Sequence, residues 1–125
     1  MNTPLSSRPV AVITGGARGI GLACAHWFLA REHRVALIDI DNDTLQLTLV
    51  DLAARVRSGE LLGLHADVSR PDAMADAFAR IDAALGRVAA LVNNAGVAVF
   101  KRIDDTTWDE WKYVMNTNLD GPFLC

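Results

Sequence analysis

Glycines at positions 15, 19 and 21 of the stretch Thr14–Gly21, TGGARGIG, are spaced for phosphate chemistry. The stretch follows the apolar run PVAVI and opens the segment LACAHWFLA, so a strand runs through a glycine-rich turn into a helix. The N–H groups of a helix's first turn have no partner inside the helix and attract an anion placed before them. Gly15 can take the sharp turn, and Gly19 and Gly21, lacking a Cβ, let backbone and helix approach a pyrophosphate closely. The ligand this predicts is a dinucleotide. The spacing is GxxxGxG rather than the better-known GxGxxG, and an ordinary strand-to-helix turn can also be glycine-rich.

Asp39 closes the next apolar run, RVALID, 18 positions after Gly21. A carboxylate there can accept hydrogen bonds from an adenosine ribose diol. A 2′-phosphate at the same place would meet a like charge, and two unit charges about 4 Å apart repel by roughly 4 kcal/mol at an effective dielectric near 20. Asp39 therefore argues for NAD over NADP. Arg18 pulls the other way, since a guanidinium beside the turn could pair with a 2′-phosphate. Asp39 could also join Asp41 and Asp43 in a solvated turn that caps the following helix.

Strands and helices alternate around these residues. Val10 to Thr14, Arg34 to Asp39, Leu61 to Ala66 and Val88 to Val92 read as four strands. Ile20 to Arg31 reads as the first helix. Leu45, Leu49, Leu52 and Val56 mark a second, capped from among Asp41, Asn42, Asp43 and Thr44 and stopped by Gly59. Met74, Ala77, Phe78, Ile81 and Leu85 mark a third, with Ser69 and Asp72 as a capping box and Gly86 at its end. Trp108, Trp111, Val114, Met115 and Leu119 mark a fourth. Alternation of this kind predicts an α/β, doubly wound parallel sheet of order 3-2-1-4, with a ligand crevice between strands 1 and 4 where the winding reverses.

The 125 residues, 51% of them hydrophobic, suit one domain whose sheet is covered on both faces. A net charge of −3 with scattered arginines makes nucleic acid an unexpected partner. No run reaches the length of a membrane span and the N-terminus has no apolar leader, so a cytoplasmic protein is expected. Cys24 and Cys125 form no CxxC pair, and His26, His33 and His65 share no spacing, so no metal is expected. Cys24 and the three tryptophans read as packing residues.

TGGARGIG, Asp39, Asp67-Val68, Asn93-Asn94-Ala95-Gly96 and W-x6-N-L from Trp111 to Leu119 resemble, in order and spacing, the N-terminal half of a short-chain dehydrogenase/reductase. The resemblance covers nearly the whole chain and extends in a generic way to 3-oxoacyl-carrier-protein reductases. It implies a Rossmann-type domain over residues 1–125 in which Gly15, Gly19, Gly21 and the backbone at Ile20 hold the pyrophosphate. It further implies that Asp39 fixes the ribose and that Asp67 with Val68 contacts the adenine. The Asn93, Ala95 and Gly96 loop would flank the cofactor, tied to the glycine turn through Thr14.

Asn118 matches an asparagine that supports a proton relay to the family's catalytic lysine. As an amide in an apolar helical stretch it is expected to be buried and to need partners. Asn116, two residues away, is its nearest competitor for that match. The complete enzyme would move a hydride between NAD, with NADP as an alternative, and a small carbonyl or alcohol substrate, commonly as a dimer or tetramer.

The family's serine, its tyrosine and the lysine four residues after that tyrosine have no counterpart here. Tyr113 is followed at that spacing by Thr117 and reads as helix surface or core. The expectation is a chain that stops before the catalytic YxxxK and binds cofactor at most. It would leave strand 4 with an open edge and the surfaces around Trp111, Val114 and Phe123 uncovered. Two rivals are a non-catalytic dinucleotide-binding module and an S-adenosylmethionine methyltransferase, which also uses a glycine loop after strand 1 and an acid after strand 2.

Overall fold

A computed structural model describes residues 3–125. Its centre is a four-stranded, all-parallel sheet of order β3-β2-β1-β4, built from β1 (Val10–Thr14), β2 (Arg34–Asp39), β3 (Leu61–His65) and β4 (Val88–Val92). The two central apolar runs form strands buried on both faces, whereas in β4 alternate residues, Ala89 and Leu91, are exposed. All five residues of β1 are buried, as are Val35 to Asp39 of β2. The third strand ends at His65, one residue short of the expected Ala66.

Alternate residues of each strand feed two cores. On one face Val12, Ile38 and Leu64 pack with Met74, Ala77, Ile81 and Leu85 of α4 (Pro71–Leu85). On the other, Ile13, Leu37 and Leu61 pack with Ala25 and Leu29 of α1 (Gly19–Leu29) and Leu45 of α2 (Asn42–Asp51). Each fully buried aliphatic side chain contributes about 1.5–3 kcal/mol.

Local chemistry sets the helix ends, in several places differently from expectation. Helix α1 stops at Leu29, two residues before Arg31. The second helical run is broken at Leu52 into α2 and the short α3 (Ala53–Arg57). The capping box at Ser69 and Asp72 does not form, because the Ser69 backbone N–H and hydroxyl both donate to Asp67 Oδ1, at 2.9 and 2.7 Å. Arg70 takes the N-cap position instead, and Pro71, whose missing N–H costs nothing in a first turn, starts α4. Helix α5 (Trp108–Met115) opens with a capping box of its own, between Thr107 and Glu110.

The fourth helix is not regular throughout. After Met115 it widens into a π-type turn at Asn116–Asp120 before α6 (Gly121–Leu124). The tryptophans are not core residues either: Trp27, Trp108 and Trp111 are 51%, 69% and 44% exposed. Cys24 is half-buried and free. No helix among the described residues is long and apolar enough to cross a membrane.

At the N-terminal ends of the strands, Glu60 draws three donors together. Its Oε1 accepts from Arg8 Nη1 at 2.7 Å and Arg55 Nη1 at 2.8 Å, and its Oε2 accepts from the Ser58 hydroxyl at 2.7 Å. Glu32 lies 3.7 Å from Arg8 Nη2. These contacts gather the polar side chains of this end around one carboxylate.

Candidate functional site

The opposite, C-terminal end of the sheet carries a cleft of about 540 Å³, within the range usual for small-molecule sites. The turn after β1 forms one wall. The Gly15 N–H donates to the Ile38 carbonyl of β2 at 2.8 Å, which holds the turn down on the sheet. Gly15 and Gly19 take left-handed φ values of +62° and +57°, where a side chain is strained. A Cβ on Gly15 would press on Asn94 Nδ2 and the Ala95 backbone, whereas the space in front of Gly19 is open. Gly19 and Ile20 line the cleft, and no side chain among the described residues caps this helix. The first-turn N–H groups of α1 therefore keep their capacity for an anion.

Gly21 does different work from the close approach to ligand that its spacing implies. It lies outside the cleft lining, and a Cβ there would run into the Gly15 carbonyl and Asn94 Nδ2. Its smallness lets α1 close on the turn.

A buried hydroxyl joins the two strand ends. Thr14, 2% exposed, accepts at Oγ1 from the backbone N–H groups of Asn94 at 3.1 Å and Ala95 at 3.0 Å, and its own proton points to the Val92 carbonyl at 3.4 Å. The Asn94 amide returns the connection, donating from Nδ2 to the carbonyls of Thr14 at 3.1 Å and Gly15 at 3.0 Å. Asn93, the asparagine singled out from the sequence, is exposed and stands outside the cleft lining. The signal that separates the two is the period of an extended chain: Val92 packs on the α1 side, and two residues later the same side belongs to Asn94.

Asp39 is in the cleft wall and only 8% exposed. Its Oδ2 accepts from the Ala17 N–H and its Oδ1 from the Asp41 N–H, each at 3.0 Å. Ala17 is gripped from the other side as well, its carbonyl accepting the Thr48 hydroxyl at 2.6 Å. A carboxylate has about four lone-pair sites. Two are used, so the group is fixed in place and still able to accept two more hydrogen bonds.

The helix cap is Asp41, not Asp39. Asp41 accepts the Thr44 N–H at 3.1 Å and its hydroxyl at 2.7 Å, and these bonds, with Arg18 nearby, hold its carboxyl below the usual range. Arg18 lines the mouth of the cleft, its side chain 75% exposed and 3.7 Å from Asp41 Oδ2.

The far wall comes from Asp67, the buried Val68, Ser69, Ala95, Gly96 and Val97. Asn118 is exposed rather than buried. Its Oδ1 accepts the Val97 N–H and its Nδ2 donates to the Val97 carbonyl, both at 2.8 Å, and it does not line the cleft. Tyr113, Asn116 and Thr117 do line it. Residue types alone gave no reason to place Tyr113 there; the helical stretch is tied to the loop through Glu110 to Lys101 and Asn118 to Val97, contacts between positions well apart in the sequence.

Comparison with known proteins agrees with this geometry. The short chain dehydrogenase family profile matches residues 9–125. The chain is 34% identical over 115 residues to an NAD-dependent glycerol dehydrogenase of Listeria innocua, covering 92% of this chain and 43% of that protein. It is 35% identical over 117 residues to an NADP-dependent (R)-specific alcohol dehydrogenase of Lentilactobacillus kefiri, covering 92% and 44%. The crystal structure of a short chain dehydrogenase/reductase from Burkholderia phymatum in complex with NAD superposes with a TM-score of 0.87 at 29% identity, over 98% of this chain and 43% of that one. The chain thus spans less than half the length of these three relatives.

Proposed function

Because the chain belongs to the short chain dehydrogenase family, we propose that residues 1–125 are the cofactor-holding part of an NAD-preferring oxidoreductase acting on a small alcohol or carbonyl compound. When bound, the nicotinamide cofactor supplies the hydride chemistry. What this chain's residues contribute is binding, orientation and the shape of the cleft.

The observation that carries the reading is Asp39, anchored by two backbone donors, with two acceptor sites left, in the same cleft as the uncapped start of α1. Such a pair of groups suits a ribose diol joined to a pyrophosphate. Gly19 and Ile20 would present N–H groups to the pyrophosphate. Asp67 and Val68 would contact the adenine, and the Ala95–Gly96 backbone would flank the nicotinamide side. Asn118, whose amide oxygen and nitrogen both bond to Val97, is a positioning residue for that loop. We assign the proton-donating tyrosine and lysine of the complete protein to residues outside this stretch, since Tyr113 lacks the lysine. The same reading carries a cytoplasmic location and a homodimer or homotetramer.

Titration of the protein with NADH and NADPH, followed by nucleotide fluorescence, tests it. NADH is expected to bind tighter by about tenfold or more, given a carboxylate facing the 2′ position. Binding of neither, or of S-adenosylmethionine instead, would overturn the assignment.

A further inference from the structure

The arginine that shares the cleft lining with Asp39 is paired with another acid. Asp41 is held at the start of α2 by both Thr44 donors, and its own N–H is bonded to Asp39 Oδ1, so its carboxylate cannot swing away without losing the cap. Its Oδ2 stands 3.7 Å from Arg18 Nη1. Ile40, between the two acids, lines the cleft with Arg18 and Asp39.

We propose that Asp41 is a second determinant of cofactor choice: it keeps the Arg18 guanidinium at the cleft mouth and so withholds it from a 2′-phosphate. This rests on the dinucleotide reading of the cleft. A cofactor with a 2′-phosphate would have to compete with Asp41 for the Arg18 guanidinium. Asp39 acts by its place opposite the diol, and Asp41 acts through Arg18. The pair is solvent-exposed, so its effect is modest and screened by salt.

The test is a set of NADH and NADPH titrations on wild type, Asp41→Asn, Asp41→Ser and the double variant Arg18→Gln/Asp41→Asn. Asn and Ser cap helices about as well as Asp, so both single variants keep α2 while removing the charge, which thermal melts check. NADPH is expected to bind about two- to fivefold tighter to both single variants, with NADH shifting less than about twofold. The gain should shrink at high salt and disappear in the double variant. If wild type binds NADH but the single variants hold NADPH no better, or if the gain survives without Arg18, the proposal is overturned. Should wild type bind neither nucleotide, the dinucleotide reading itself falls and takes this inference with it.

Discussion

The two ends of the sheet are both rich in polar side chains, yet they are wired in opposite ways. At the N-terminal ends, Arg8, Arg55 and Ser58 converge on Glu60 and occupy three of its carboxylate's roughly four acceptor sites. At the C-terminal ends, Thr14, Asn94 and Asp39 are tied almost wholly to backbone, and open capacity remains: two acceptor sites on Asp39 and the free first turn of α1. The proposed binding site is thus the end where hydrogen-bonding capacity is held in place and left unused, rather than the end where charge is most concentrated.

Gly21→Ala should break this contrast most severely. The new methyl meets the Gly15 carbonyl, so the turn and α1 cannot close together, at a cost of about 1–3 kcal/mol of stability. NADH binding should be lost while the Glu60 cluster is untouched. A variant that titrates like wild type would show that Gly21 is not needed for the turn.

Asn94→Ala comes next. It leaves the Thr14 and Gly15 carbonyls without their side-chain donor, costing about 1–3 kcal/mol, and should weaken NADH about tenfold by loosening the turn. Urea denaturation and the same titration read both effects.

The mildest change is Glu60→Gln at the N-terminal ends of the strands, about 1–2 kcal/mol, between the values for exposed and buried pairs. NADH affinity should not move. The Ser58 hydroxyl first, then Arg55 and Arg8, hold the Glu60 carboxyl below its ordinary range against the opposing effect of burial. Its stabilisation is therefore complete above that range and is lost as pH falls through the lowered value. Wild type should lose more stability than Glu60→Gln between about pH 6 and about pH 3, measured by urea midpoints.

How much of this was legible in the sequence depends on the range of the interaction involved. The strands and their order followed from short apolar runs broken by glycine and polar turns, because burial on both faces demands such runs. The glycine turn and Asp39 were legible for a related reason: each sits at the C-terminal end of a strand, and those ends share one edge of a parallel sheet. Asp67-Val68, by contrast, was singled out only by the family resemblance. Asn93 and Asn94 are chemically identical neighbours, and only the side of the chain facing α1 separates them. The Ser69 cap failed because Asp67 captured both Ser69 donors, a competition between residues two apart that composition does not rank. Tyr113, Asn116 and Thr117 line the cleft on a helical stretch tied to the opposite loop through Asn118 and Val97, and the widened turn after Met115 leaves no local trace in the letters.

The Thr14 hydroxyl has a consequence in time. It bonds the N–H of Asn94, 80 positions further along the chain. At ribosomal rates of about 5–20 residues per second, the glycine turn waits on the order of ten seconds before its partner is made. The edge of β1 that will receive β4 stays open for that interval. The cleft is therefore among the last parts of this chain to assemble, and a ligand that binds it favours the finished state over everything that precedes it.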